Sequence, residues 1–406
     1  MKKSLLAVAA IGAFASAAQA QSSVTVYGIL DVGFNGGVNN TPTSATATTK
    51  TSNAGFIGAG QEQTSRLGFK GSEDLGGGMS AFFTLEANLI PESEYGSLVR
   101  NRQQFVGVKK NGLGAASVGL QYTPIFNLAA ATNPGQYNGT IGDLVYVANN
   151  AFANTTVATL TTALTAQNAA ATNSIGSTGF TNNSQNSLFV KSDSFAGFTA
   201  QGFYARSAVT SSTATSATAQ TTNTGVWGLG ADYTWKKLYV STAYQVVSND
   251  TSSATATGLT GTSSSLGTIP TTNMFDNQFY AGANYDFGIL KAYVQYSNRN
   301  VVAMQNSNNT WKRTAQQVGV RSYITPVIES WASVGNGKVN SMTTEAGTAA
   351  QQMNIFGYQL GSNYYLSKRT NLYGIYGTMT ASTAPTYVTG SGANAKQYAV
   401  GVRHTF

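Results

Sequence analysis

Tyr398-Ala-Val-Gly-Val-Arg-His-Thr-Phe406, the last nine residues, sets Tyr398, Val400, Val402, His404 and Phe406 in alternation with Ala399, Gly401, Arg403 and Thr405, and the chain stops on the aromatic ring. Successive side chains of a strand point to opposite faces. One face here is therefore largely apolar and the other small or charged. Such a strand, ending flush on an aromatic residue, suits the wall of a β-barrel set in a membrane, with Arg403 turned toward the lumen.

At the other end, Lys2 and Lys3 precede a short apolar run from Leu5 to Ala18, and Ala18-Gln19-Ala20 supplies small residues at the expected cleavage position. That pattern reads as an export signal over residues 1–20, leaving 21–406 as the mature chain. No proline-rich hinge or change in composition divides the mature chain, so it reads as one domain. Past Ala20 no apolar run approaches the roughly 20 residues that a membrane helix needs. Spanning must fall to strands, and strands cross hydrocarbon only as a closed sheet in which no backbone edge lacks a partner. The expected fold is all-β: a 16-stranded antiparallel transmembrane barrel.

Composition narrows the chemistry. With no cysteine, disulfides and thiolate metal sites are excluded. The single histidine, His404, rules out a multi-histidine zinc site, and no serine and acid stand with it as a hydrolytic set. Neither a metal nor a cofactor is expected, and the chain does not read as an enzyme. Loss of Lys2 and Lys3 lowers the formal net charge from +8 to +6. That excess fits either a slightly basic solvated surface or a lumen that favours anions. The basic residues are too dispersed for nucleic acid.

The first mature strand, Val24 to Phe34, places Val24, Val26, Gly28, Leu30, Val32 and Phe34 outward and Thr25, Tyr27, Ile29, Asp31 and Gly33 inward. Ser65 to Lys70 sets Leu67 and Phe69 against inward Arg66 and Lys70. Similar segments recur to Phe406 and make sixteen, with fourteen or eighteen as alternatives because Val327 to Val334 is weakly patterned. Tight connections such as Trp235-Lys236-Lys237-Leu238 alternate with long ones, 208 to 224, 249 to 274 and 381 to 394, whose Ser, Thr, Ala, Asn and Gly read as surface cover. Tyr364, Tyr365, Tyr373, Tyr376, Tyr398, Phe406, Trp227 and Trp235 are assigned to aromatic girdles at the membrane surfaces. From Thr123 to Gln185 no membrane strand is evident. Pro124, Pro134, Gly135, Gly142 and Asp143 form the more structured part of this interruption, and Ala151 to Ser177 reads as added surface or partly ordered helix.

Val24-Thr-Val-Tyr27-Gly28-Ile-Leu-Asp31, Ser65-Arg66-Leu67-Gly68-Phe69-Lys70-Gly71-Ser72-Glu73-Asp74-Leu75-Gly76, Gly119-Leu120-Gln121-Tyr122-Thr123-Pro124, Leu366-Ser367-Lys368-Arg369-Thr370-Asn371-Leu372-Tyr373 and Gly401-Val402-Arg403-His404-Thr405-Phe406 together resemble a general porin of beta-proteobacteria, in the wider family of trimeric Gram-negative porins. The resemblance implies a homotrimer in the outer membrane of a Gram-negative bacterium, in contact with lipid and lipopolysaccharide. It also implies a third external loop folded into each lumen, and a terminal Phe406 read by the outer-membrane assembly machinery. In that family inward arginines and lysines face loop carboxylates across the channel. Arg66 and Arg102 fall on those basic positions, whereas Leu120 and Phe189 stand where arginine is usual, so a weakened field is expected. Asp143 is the candidate loop acid, with Glu92, Glu94 and Asp31 as alternatives. The expected function is passive diffusion of ions and small hydrophilic solutes, with mild anion preference set by Arg66, Lys70 and Arg102 against Asp143. The alternatives are a substrate-specific channel and an adhesin built on the same barrel.

Overall fold

The computed structural model describes residues 23–42, 48–57, 60–91, 98–146, 180–211, 220–252, 261–264, 267–270, 273–304, 308–342, 351–382 and 393–406. The expected signal at 1–20, the Ala151 to Ser177 stretch, Glu92 and Glu94 lie outside them. The alternation at the C-terminus runs through the wall, which is built from β1 (Ser23–Pro42), β2 (Thr48–Ile57), β3 (Arg66–Gly76), β4 (Met79–Leu89), β5 (Leu98–Lys110), β6 (Gly114–Tyr122), β7 (Asn183–Ser192), β8 (Phe198–Ser211), β9 (Gln220–Trp235) and β10 (Leu238–Ser252). After a separate hairpin of β11 (Gly261–Ser264) and β12 (Gly267–Pro270), the wall resumes with β13 (Met274–Asp286), β14 (Lys291–Ala303), β15 (Thr310–Thr325), β16 (Ile328–Met342), β17 (Gln351–Tyr365), β18 (Thr370–Ala381) and β19 (Ala393–Thr405).

Seventeen strands form the sheet, yet they fill sixteen positions. β2 and β3 lie end to end along one edge of β1, where Gly33 faces Ile57 and Ile29 faces Arg66. Residues 60–65 leave the wall between them. The Asp31 carboxylate accepts the amides of Glu62 at 2.9 Å and Gln63 at 2.7 Å, and the Ser65 hydroxyl donates to the Asp31 carbonyl oxygen at 3.0 Å. The other edge of β1 pairs with β19, placing Asp31 opposite Arg403 and closing the sheet as expected. Gly28 and Phe406 exchange backbone hydrogen bonds at 3.1 Å each. A Cβ on Gly28 would lie 2.3 Å from the Phe406 ring, so glycine is what lets the last side chain lie over the first strand.

Closure satisfies the backbone and sorts the side chains. From β14 to β19 and in β1, paired positions keep odd-numbered residues inward. Even-numbered Val318, Leu360, Val400 and Val402 stand exposed on the outer face, as an apolar band meant for lipid requires. Wall strands run from 9 residues in β6 to 20 in β1, against about 9–11 needed to cross the hydrocarbon. The surplus lies toward the rim with long connections, where both faces are polar and alternation fades. This is why β1 continues to Pro42 and β8 to Ser211, beyond the ends expected from sequence.

Two expectations are corrected. The 249 to 274 connection is not all surface loop, because β10 continues to Ser252 and β11 pairs with β12 within it. Tyr373 and Tyr365 do not belong to a lipid-facing girdle. Both occupy odd, inward positions, where their hydroxyls donate to Asp31 and Glu329, each at 2.7 Å. Tyr364 and Tyr398 remain outward and exposed.

Candidate functional site

The segment after β6 enters the lumen as a helix, α1 (Pro124–Ala131). Thr123 caps it by accepting the Phe126 amide, and Pro124 occupies the first turn, where a missing N–H costs no intrahelical bond. Ile125, Leu128 and Ala129 pack with Val145, Phe180, Ala243 and Tyr280 against the inner face of the wall. Thr123-Pro124 was the available sequence signal for this helix.

Beyond α1 the chain crosses the barrel interior, held by inward side chains from successive strands. Asn284 donates to the Ala131 carbonyl oxygen at 2.9 Å and Arg321 to that of Pro134 at 2.7 Å. Gln359 bonds Asn138 and Thr140, Gln397 accepts the Ile141 amide at 3.0 Å, and Gln317 accepts that of Leu144 at 3.0 Å. Each hook satisfies a loop polar group that burial would otherwise leave without a partner. The Gly139 amide donates to the Gln61 carbonyl oxygen at 2.7 Å, so the 60–65 excursion braces the same segment.

The segment packs along β13 to β19, and a cavity of about 220 Å³ lies between it and the opposite wall. From the wall come Arg66, Asn88 and Arg102, and from the segment Phe126, Tyr137 and Tyr146. Arg102 is paired with Glu86 at 2.5 Å, reaches Asn88 at 3.2 Å, and lies 5.8 Å from the Tyr122 ring centre. The Arg66 Nε donates to the Thr64 carbonyl oxygen at 3.0 Å. Tyr122 stacks on Phe126 at 4.2 Å, and Tyr137 on Tyr146 at 3.8 Å. Burial pushes the Tyr146 phenol up to about 12, and burial, reinforced by Tyr280, raises Tyr137 too. Near neutral pH these rings are uncharged.

Of the remaining expected residues, Lys70 lies inward and exposed with its ammonium 5.3 Å from the Tyr27 ring centre, and Tyr27 donates to Glu86 at 3.1 Å. Asp31 is inward but fully buried beneath the 60–65 excursion. Arg403 pairs at 3.1 Å with Glu62, which also accepts from Asn363 and Asn371. Asp143 is on the crossing segment but only 3% exposed; its carboxylate accepts from Asn133 and from the amides of Val145 and Tyr146. The acid beside Arg102 is therefore Glu86 on the wall. Sequence reading missed Glu62 because it sits in the break between β2 and β3, where no alternation exists, and did not place Glu86 in the channel because its inward phase emerges only once β4 is in register with β3. Farther around the lumen, Arg299 pairs with Asp276 and Arg321 with Glu329, each at 2.7 Å. Among the described residues no cluster of His, Cys, Asp or Glu could hold a metal ion.

The sequence model of a family described as Gram-negative porin matches residues 7–384. An outer membrane porin protein of Bordetella pertussis is 36% identical over 132 residues, 30% of this chain and 34% of that protein. Outer membrane porin protein 32 of Delftia acidovorans is 32% identical over 145 residues, 34% of this chain and 39% of that protein. The matched stretches thus span little more than a third of these relatives. Among solved structures, the anion-selective porin from Comamonas acidovorans superposes with a TM-score of 0.64 at 19% identity, covering 95% of this chain and 100% of that one. The outer membrane channel DcaP of Acinetobacter baumannii gives 0.55 at 14%, over 96% and 98%. At these identities the superpositions establish the fold.

Proposed function

We propose, because the chain belongs to the Gram-negative porin family, that it is an outer-membrane pore through which ions and small hydrophilic solutes diffuse down their own gradients. The observation that carries this reading is a closed wall crossed inside by a braced segment, with Arg66 and Arg102 on the far side of the remaining cavity. Within the family, the reading is of a general porin of the beta-proteobacterial kind, assembled as a homotrimer amid lipid and lipopolysaccharide, with Phe406 presented to the assembly machinery. Residues 1–20 act as its export signal.

Mild anion preference belongs to the same reading. Among the described residues, four arginine–carboxylate pairs offset one another inside the barrel. Among the described residues, Arg66 and Lys70 have no such ion pair, and low-dielectric walls focus the field of the charges that remain. Asp143 is buried within its own loop, bonded to Asn133 and to the Val145 and Tyr146 amides, and does not line the cavity beside Arg66 and Arg102. Reversal potentials across a planar bilayer in a KCl gradient test this. Arg66→Gln with Arg102→Gln should move the preference toward cations more than Lys236→Gln with Lys237→Gln in the short turn. Cation preference in the unaltered protein, or equal shifts from the two double variants, contradicts the reading.

A further inference from the structure

A passage used only by hydrated ions has no need of aromatic rings at its narrow part, yet Phe126, Tyr137 and Tyr146 line the cavity beside Arg66 and Arg102. The rings are fixed as a group. Besides the two stacked pairs, Phe126 lies 5.0 Å from Tyr137 and 6.1 Å from Tyr146, and the Tyr137 hydroxyl donates to the Phe126 carbonyl oxygen at 3.2 Å. The charges are unbalanced. Among the described residues, the guanidinium groups of Arg66 and Arg102 share the site with the Glu86 carboxylate, which is held by Arg102. A guanidinium both binds carboxylate through paired N–H groups and stacks on flat π-systems, while aromatic edges and faces attract another ring more than they attract a saturated one. A volume of about 220 Å³ is below the roughly 300–1,000 Å³ of sites for drug-sized ligands and suits a solute with one ring.

Resting on the pore reading above, we infer that the constriction is a weak binding site for small aromatic carboxylates, with Arg66 taking the carboxylate and the Phe126, Tyr137 and Tyr146 cluster taking the ring. Such solutes would dwell there and cross by a saturable step, whereas chloride would pass without saturation over the same range.

Benzoate and cyclohexanecarboxylate provide matched probes, alike in charge and carbon skeleton but different in ring chemistry. Benzoate should reduce the chloride current through single channels with a half-saturating concentration about three- to tenfold lower than cyclohexanecarboxylate. Tyr146→Leu, which keeps apolar bulk but removes a π face, should erase most of that difference. Equal potency of the two acids on the unaltered protein overturns the inference while leaving the pore intact, and this comparison decides the matter even if Tyr146→Leu fails to assemble. A benzoate advantage undiminished in a conducting Tyr146→Leu channel also overturns it. Absence of current in every salt would overturn the pore reading and this inference together.

Discussion

Arg102 faces the lumen because β5 carries an extra residue at that point in its pairing with β4. Glu86 is paired with Gln103 and Ala87 with Asn101, which leaves Arg102 between them without an opposite number. Strict alternation from inward Gln103 would send Arg102 outward; the bulge turns it back to Glu86 and Asn88. Glu86→Gln should therefore release a guanidinium charge from compensation and raise anion preference above that of the unaltered protein in the same reversal-potential measurement. An unchanged potential would remove Glu86 from the field. Arg66 and Lys70 were legible from alternation alone, since β3 is regular there. Arg102 was reached through resemblance, because no period of two predicts a bulge. The burial of Asp143 had no sequence signal either, because it depends on which amides a nonrepetitive turn brings around the carboxylate.

The crossing segment keeps its position by hydrogen bonds and by close approach to the wall. Gly377 faces inward beneath it, and a Cβ there would lie 1.7 Å from the Ile141 carbonyl oxygen, whereas one on Gly374 of the same strand would meet nothing within 4 Å. Gly377→Leu should push the segment off β18 toward Arg66 and Arg102, lower single-channel conductance and destabilise by about 1–3 kcal/mol or more. Gly374→Leu is the matched control and should leave conductance unchanged. Equal conductance in both variants would mean that the segment is not seated on Gly377. Short turns and alternating stretches made most wall strands readable. β2 and the β11–β12 hairpin were not, since their sequences are rich in Thr, Ser, Gly and Asn and carry no two-residue apolar period. The inward path of residues 132–146 could be suspected from an interruption too long for a simple turn. Its hooks, Asn284, Gln317, Gln359 and Gln397, are recognisable only after each is known to point inward.

The whole molecule depends on one physical arrangement: a sheet sealed between β1 and β19, apolar side chains on its outer face and polar ones within. Sealing removes the edge that would leave amides and carbonyl groups bare in hydrocarbon. The inner face can then hold charged pairs and a braced segment without exposing them to lipid. This level was the most legible of the three, because it follows from the faces of the terminal strands and the lack of any long apolar run. Strand number was less secure, and the end-to-end placement of β2 and β3 in one wall position shows why counting segments and counting positions differ. Since the chain has no cysteine, single cysteines at neighbouring positions report directly on the two faces. In protein reconstituted in a bilayer, Lys70→Cys and Arg403→Cys should react with a membrane-impermeant maleimide while Phe69→Cys and Val402→Cys remain protected. Equal labelling within these neighbouring pairs would contradict a sealed barrel with water on one side of its wall and lipid on the other.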